Sequence, residues 1–187
     1  MNTTTALVRG SLSDIAARDN LSIAETFLNA DIVVLIDVSA SMNIRDSRGS
    51  RERYAVACDE LAQLQATLPG RVAVIGFSSQ TEFAPSGKPT FQGANTDLER
   101  ALKFARVADT GSVRFVIISD GEPDSEQDAL AAAAVYKGRI DCVFVGPESD
   151  RKARNFLDKL ASAHGGEQVT TPVHLLAEKI ETLLLHA

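Results

Sequence analysis

Residues 32–41 read Ile-Val-Val-Leu-Ile-Asp-Val-Ser-Ala-Ser, an apolar run that ends in oxygen-bearing side chains. A short, β-branched run of this kind predicts a buried strand. Alternate side chains of an extended segment point the same way, so Asp37, Ser39 and Ser41 can converge on one point. A carboxylate and two hydroxyls suit a hard cation such as Mg²⁺ rather than zinc, which prefers thiolate and imidazole. The stretch therefore predicts a strand with a cation site at its carboxyl end.

Strand-like apolar runs alternate with helical patterns along the rest of the chain. The predicted strands are residues 31–37, 71–77, 113–119, 140–145 and 168–170, with a short edge hairpin in 81–91. The predicted helices are residues 11–28, interrupted at 19–20, then 53–68, 96–107, 125–136, 150–163 and 173–186. This alternation is typical of βαβ units. We expect an α/β fold with a doubly wound (Rossmann-like), mainly parallel sheet, helices on both faces and a short antiparallel edge strand.

Composition limits the classes of partner. The chain has 187 residues, enough for one domain with a sizeable core, and a formal net charge of -6, which argues against a general nucleic-acid surface. No apolar run approaches the roughly 20 residues of a membrane span, and the polar N-terminus does not resemble a signal peptide. Cys58 and Cys142 lie among apolar neighbours and are predicted to be reduced thiols. We expect a cytoplasmic protein with neither nucleic acid nor membrane as a partner.

Two further segments bring oxygen ligands to the same predicted edge of the sheet. Thr96 lies in a loop that opens a helix, and Asp120 directly follows a buried strand and precedes Gly121. In a doubly wound sheet both residues would lie at the carboxyl edge together with Asp37. Each segment alone is also typical of a helix cap or a turn, and Thr96 could be an N-cap. The three segments together favour a metal site.

With these segments in this order, the chain resembles the von Willebrand factor type A (VWA) family, in a microbial intracellular form with an intact metal-ion-dependent adhesion site (MIDAS). The motif of that site is Asp-x-Ser-x-Ser, then a Thr after a Gly-rich loop, then an Asp before Gly. The resemblance covers nearly the whole chain and implies a VWA domain over residues 31–187, after a polar tail and helical extension over 1–30. The metal ligands that it implies are Asp37, Ser39, Ser41, Thr96 and Asp120.

The family implies a role for each ligand. Ser39 and Ser41 would bind the cation through their hydroxyls, Asp37 would orient the serines, and Thr96 and Asp120 would bind directly or through water. Mg²⁺ is the expected ion, with Mn²⁺ or Ca²⁺ as alternatives. One departure lies before the Thr, where the family often has Gly-Gly and this chain has Gly-Ala-Asn at residues 93–95. This difference could alter the conformation of the loop.

The resemblance implies a metal-dependent protein-binding module of adaptor or regulatory type, and not an enzyme. Its partner would offer an Asp or Glu to the metal, and the family suggests an AAA-type ATPase system as a setting. Two alternatives stay open: a Mg²⁺-dependent phosphoryl-transfer enzyme with Asp37 as nucleophile, and a scaffold that uses no metal. The phosphatase reading is weakened because Ser39 stands where haloacid-dehalogenase phosphatases typically have a second Asp.

Charged residues next to the motif allow two interpretations each. The arginines that follow it could form a cationic rim that steers an acidic partner, or belong to a solvated loop. Likewise, Glu122 and Asp124 could attract a second cation or form a plain acidic turn. The four arginines concerned are Arg45, Arg48, Arg51 and Arg53.

Overall fold

The computed structural model describes residues 7–47 and 49–170, which form six α-helices and six strands. The helices are α1 Leu12–Asp19, α2 Ile23–Leu28, α3 Arg53–Thr67, α4 Leu98–Ala105, α5 Glu126–Ala133 and α6 Arg151–Ser162. The strands are β1 Ile32–Asp37, β2 Val72–Phe77, β3 Thr81–Phe83, β4 Arg114–Ser119, β5 Ile140–Phe144 and β6 Gln168–Val169. Two short 3-10 helices cover Ala40–Asn43 and Arg106–Ala108. The helix predicted at 173–186 lies outside the described residues.

The strands form one sheet in the order β3-β2-β1-β4-β5-β6. Every pairing is parallel except that of β2 with the short edge strand β3. The expected doubly wound sheet with an antiparallel edge strand is therefore confirmed. From β1 the chain first adds strands on one side of the sheet, then crosses to the other side at β4. Open α/β sheets bind ligands at the carboxyl ends of the strands where this reversal occurs, here between β1 and β4.

Both faces of the sheet are covered by helices. Successive side chains of a strand point to opposite faces, so those of β1 enter two separate core clusters. On one face Val33 and Leu35 belong to a core cluster that includes apolar residues of α4, α5 and α6. On the other face Ile32, Val34 and Ile36 belong to a second cluster that includes the apolar face of α3. All six residues of β1 are buried. This double burial fixes the central strand, and so fixes where its polar carboxyl end lies.

Residues 7–30 of the predicted extension pack on the rest of the fold. The predicted interruption is confirmed: Asn20 is a left-handed C-cap of α1, and Ser22 is the N-cap of α2, with a capping box closed by Glu25. Leu12 is fully buried, and the Gly70 amide donates to the Gly10 carbonyl over 2.8 Å. Among the described residues no helix is both long and apolar enough to cross a membrane. The cysteines are free thiols, as expected.

Candidate metal centre

Asp37 ends the central strand and is fully buried. Its Oδ1 accepts a hydrogen bond from the Ser39 amide at 2.9 Å, and its Oδ2 accepts one from the Ser119 hydroxyl at 2.8 Å. Ser119 in turn accepts from the Gly121 amide at 3.0 Å. The register explains the contact, since Ile36 is paired with Ile118 in the parallel ladder and the next residues therefore lie side by side. The donors to this carboxylate in the part of the chain that the structure describes are uncharged.

The two serines of the motif lie next to each other, with 3.1 Å between their hydroxyl oxygens. Ser39 is buried and extended, but a 3-10 helix begins at Ala40 and includes Ser41. The hydroxyls therefore converge through a tight turn, and not through the simple extended alternation that the sequence suggested. Ser41 stays partly exposed, so the pair faces the open side of the edge.

The loop that contains Thr96 is bonded to the loop that follows β1. The Ala40 amide donates to the Ala94 carbonyl and the Gly93 amide donates to the Val38 carbonyl, both over 3.0 Å. Gly93 and Ala94 both adopt positive φ, 71° and 69°. Only glycine enters this region freely, so Ala94 is a strained residue at the position where the family often has a second glycine. The sequence departure leaves the loop's left-handed bend in place.

Thr96 itself is 6% exposed and precedes α4. The prediction that it could be an N-cap is wrong, because the cap is Asp97, whose side chain accepts from the Arg100 amide. The Thr96 amide donates to Asp124 Oδ1 at 3.0 Å, and the Asp124 amide donates to the Thr96 carbonyl at 3.0 Å. Thr96 is thereby fixed against the turn that follows Asp120.

Asp120 follows β4 and is 1% exposed. The turn after it needs glycine, since Gly121 has a φ of 77° and a Cβ there would lie 2.7 Å from the Ala153 carbonyl oxygen. Burial, followed by the negative charge of Asp120, raises the pKa of Asp37 to about 7, against the opposing effect of its hydrogen bonds. The edge therefore holds two buried carboxylates, and the charge of Asp120 disfavours the charge of Asp37.

Arg53, the first residue of α3, has a role that the sequence did not indicate. Its guanidinium donates to Asp120 Oδ2 at 2.7 Å and holds Asp46 through two further bonds of 2.7 and 2.8 Å. It is 4% exposed, so the prediction that it belongs to a solvated rim or loop is wrong. The hydrogen bonds to Asp46 raise the pKa of Arg53 and lower the pKa of Asp46. No sequence signal marks Arg53 among four arginines within nine residues.

The other arginines of the loop differ from Arg53. Arg45 is exposed, and Arg51 is half-exposed and forms an ion pair with Asp59. Arg48 lies outside the described residues. Of the arginines of this loop that the structure describes, Arg45 and Arg51 can therefore contribute to a cationic rim. The steering role of that rim stays a prediction.

Comparison with solved structures identifies the fold. The chain superposes on an aerotolerance-related membrane protein from Bacteroides fragilis with a TM-score of 0.65 at 15% identity, covering 82% of this chain and 97% of that one. On the SpRpn10 VWA domain the TM-score is 0.54 at 14% identity, covering 76% and 88%. The chain has the VWA fold. No family model matches the sequence, and no curated protein matches it.

A third structure with the same fold contains a metal. The manganese-loaded TRAP protein of Plasmodium vivax superposes with a TM-score of 0.51 at 14% identity, over 70% of this chain and 63% of that one. At such low identity the likeness extends to the fold alone. Whether this VWA fold binds a cation must therefore be argued from its own residues.

The donor set of this VWA fold suits a hard cation. No group of three or more His, Cys, Asp or Glu side chains suited to a metal occurs in residues 7–47 and 49–170. A cation here would therefore need the hydroxyls of Ser39, Ser41 and Thr96 in addition to the carboxylates of Asp37 and Asp120. Oxygen donors of this kind are what Mg²⁺, Mn²⁺ and Ca²⁺ prefer. These residues therefore suit a divalent cation.

The acidic turn after Asp120 is used internally. Asp124 accepts the Thr96 amide, as described above, and Glu122 Oε1 lies 3.7 Å from Arg53 Nη1. These contacts favour an ordinary turn over a second cation site, in agreement with one of the two interpretations above.

Proposed function

We propose that this chain is a metal-dependent protein-binding module, of adaptor or regulatory type. It would capture a carboxylate of a protein partner through a divalent cation at the carboxyl edge of the sheet. The observation that supports this best is a pair of buried carboxylates, Asp37 and Asp120, at the strand reversal point, beside two hydroxyls 3.1 Å apart. Proteins rarely bury like charges together without compensation, and Arg53 pairs with Asp120 but not with Asp37 among the described contacts.

Each residue has a task in this proposal. The hydroxyls of Ser39 and Ser41 bind the cation, and Asp37 orients them because its Oδ1 accepts a hydrogen bond from the Ser39 amide. Thr96 and Asp120 complete the shell directly or through water. Mg²⁺ is the ion that we propose, with Mn²⁺ or Ca²⁺ as alternatives.

An incomplete shell would explain recognition of an acidic partner. Mg²⁺ requires six oxygen ligands in near-octahedral geometry, so a shell with at most five protein side chains leaves at least one position open. When bound, the ion supplies a fixed positive charge there that attracts an Asp or Glu carboxylate and orients it. The partner is then selected by a carboxylate that can reach the edge, which is a direction-specific contact.

The environment of Asp37 argues against the phosphoryl-transfer alternative. A nucleophilic carboxylate must present an oxygen to the phosphorus atom, but Asp37 is fully buried and both of its oxygens accept hydrogen bonds. We therefore propose a module that is not an enzyme. Turnover of a generic phosphate ester that disappears in the Asp37→Asn protein would contradict this.

Several wider features remain proposals. The VWA domain is taken as residues 31–187, with 1–30 as a polar tail and helical extension. A cytoplasmic location, and an AAA-type ATPase system as the partner's setting, stay predictions from the sequence. With a net charge of -6 we propose a protein partner and no nucleic acid.

Thermal unfolding tests the metal site. Mg²⁺ or Mn²⁺ should raise the melting temperature relative to EDTA, because a ligand that binds only the folded state stabilises it. Asp37→Ala should abolish the rise. A matched control is Asp59→Ala, which removes an exposed carboxylate outside the proposed site and should leave the rise intact. If neither ion changes the melting temperature of the intact protein, the proposed site is contradicted.

Peptide arrays test the partner's carboxylate. Peptides that contain Asp or Glu should bind the protein in Mg²⁺, lose binding in EDTA, and lose it when the acidic residue is replaced by its amide. The same peptides should not bind the Asp37→Ala protein. Binding that survives EDTA would favour the metal-free scaffold instead.

A further inference from the structure

Arg53 places a permanent positive charge against a proposed metal ligand. Its side chain is 5% exposed, and around its guanidinium lie the carboxylates of Asp46, Asp120 and, at 3.7 Å, Glu122. An arginine keeps its proton at any relevant pH, so this charge is always present. A cation that uses Asp120 must therefore share the carboxylate with a fixed guanidinium.

The position of the guanidinium is set by Asp46. Two parallel bonds, from Nε to Oδ1 at 2.7 Å and from Nη2 to Oδ2 at 2.8 Å, form a bidentate pair that fixes the plane of the group. The remaining nitrogen, Nη1, then donates to Asp120 at 2.7 Å. Asp46 thus orients Arg53 and also takes up part of its charge.

The two oxygens of Asp120 have unequal partners. Oδ2 has the short bond from Arg53, whereas among the described residues Oδ1 accepts only a long bond of 3.4 Å, from the Glu122 amide. Oδ1 is therefore the oxygen that we expect another cation to bind. The guanidinium beside the other oxygen, Oδ2, weakens the attraction of this carboxylate for a second positive charge.

From these contacts we propose that Arg53 is a built-in counter-ion of Asp120, which competes with the divalent cation for that carboxylate and lowers the affinity of the site. Asp46 acts through Arg53 as a positioning residue, since it draws the guanidinium's charge away from Asp120. The inference rests on the proposed function, because it concerns the same cation. It also predicts that variants at two linked residues change the affinity in opposite directions.

Calorimetric titration of Mn²⁺ and of Mg²⁺ into the whole protein tests this. Arg53→Gln should tighten binding roughly tenfold, and Asp46→Asn should weaken it several-fold, both within the range of coupling for residues that share one charge network. In the double variant the effect of Asp46→Asn should largely vanish, because it acts through Arg53. An Arg53→Gln affinity equal to or weaker than that of the intact protein would overturn the proposal. So would an Asp46→Asn effect that is the same with and without Arg53.

Arg51→Gln is the matched control. It removes a positive charge from the same loop, but Arg51 is half-exposed and is paired with Asp59 instead of Asp120. We expect less than about a twofold change in cation affinity, because exposed charges are screened. An effect as large as that of Arg53→Gln would assign the result to the general charge of the loop, and would overturn the specific role of Arg53.

Circular dichroism and melting in EDTA establish that each variant folds. If Arg53→Gln does not fold, Asp46→Asn still decides, since an unchanged affinity in that variant overturns the proposal. The outcomes also separate the two proposals. Binding by the intact protein with no change in the variants overturns only the role of Arg53. Binding by Arg53→Gln alone overturns the proposed function of the natural chain but supports the counter-ion. Binding by neither overturns both.

Discussion

Two buried aspartates at opposite ends of the sheet contrast in how their charge is compensated. Asp141, near the amino end of β5, is fully buried and forms an ion pair with Arg139 at 2.9 Å. It also accepts the Glu167 amide at 2.9 Å, and Arg114 lies 4.0 Å away. Asp37, at the carboxyl end of β1, is equally buried, but the described residues that donate to it, Ser39 and Ser119, are uncharged.

The contrast distinguishes a carboxylate whose charge is balanced by arginines of the fold from one whose charge an added cation can balance. Asp141 has its positive charge supplied by the chain, so its burial is compensated within the fold. Asp37 has no such partner among residues 7–47 and 49–170, and its pKa is raised to about 7 by burial and by the nearby charge of Asp120. Asp120 lies between these cases, because Arg53 compensates one of its oxygens. The carboxyl edge therefore retains negative charge that an added cation can neutralise.

The largest expected effect comes from removing the compensated carboxylate, that of Asp141. Asp141→Asn should lower the free energy of unfolding by up to about 3 kcal/mol, because it leaves the mostly buried Arg114 and the partly exposed Arg139 without their carboxylate. Chemical denaturation measures this. Added Mg²⁺ should raise the variant's stability only as much as it raises that of the intact protein. An unchanged free energy of unfolding would show that Asp141 is not the structural carboxylate of the comparison.

The next effect is a pH dependence specific to Asp37. Because its pKa is higher in the folded state than in the unfolded chain, the folded protein binds more protons between about pH 4 and 7. Stability in EDTA should therefore fall as pH rises through this window, by at most about 1.4 kcal/mol per pH unit, and level off above it.

Asp37→Asn isolates this contribution. The variant keeps a group of the same shape but no charge, so the difference between its stability and that of the intact protein should grow with pH in the variant's favour. Denaturation in EDTA at a series of pH values gives the difference directly. Two parallel curves would show that Asp37 is compensated like Asp141.

A smaller effect distinguishes a hydroxyl that binds the proposed cation from a hydroxyl that only stabilises the fold. Ser39→Ala should change stability in EDTA by about 1 kcal/mol or less, since one hydrogen bond to Ser41 is lost. The melting shift caused by Mg²⁺ should disappear. Ser78→Ala is the control, because Ser78 is equally buried at the end of β2 and donates to Gln92. An intact Mg²⁺ shift in Ser39→Ala would remove this hydroxyl from the site.

The smallest effect concerns backbone strain. The left-handed positions in the loops before β4 and β6 are glycines, Gly111 and Gly165, whereas the carboxyl edge has Ala94 in this conformation. Ala94→Gly should therefore raise stability by up to about 1 kcal/mol, since relief of strain is partly offset by the freer unfolded chain. Thermal unfolding in EDTA measures this. A loss of stability would mean that the alanine is not strained.

The sequence was sufficient for the elements and for the segments of the edge. Buried strands such as β1 and β4 are continuous apolar runs, and helices such as α3 begin and end within two residues of their predicted bounds. The segments of Asp37, Thr96 and Asp120 do lie at one edge of the sheet, because the fold class itself places the carboxyl ends of parallel strands together.

The partners of those residues could not be predicted. Ser119 reaches Asp37 across 82 positions of sequence and Arg53 reaches Asp120 across 67, so both contacts depend on strand register and on the docking of α3. The turn at Ala40 was also missed, because a polar stretch after a strand has no periodicity to indicate a 3-10 helix. Local patterns indicated where the proposed ligands lie, but long-range packing determined how their charge is balanced.

The most direct test of the metal site is a crystal structure of the intact protein grown in Mn²⁺, with the ion located by its anomalous scattering. The account predicts one peak at the carboxyl edge, within coordination distance of the Ser39 and Ser41 hydroxyls and near Asp37, Thr96 and Asp120. A crystal that contains Mn²⁺ elsewhere, for example beside Glu122 in the acidic turn, but none at these hydroxyls would contradict it.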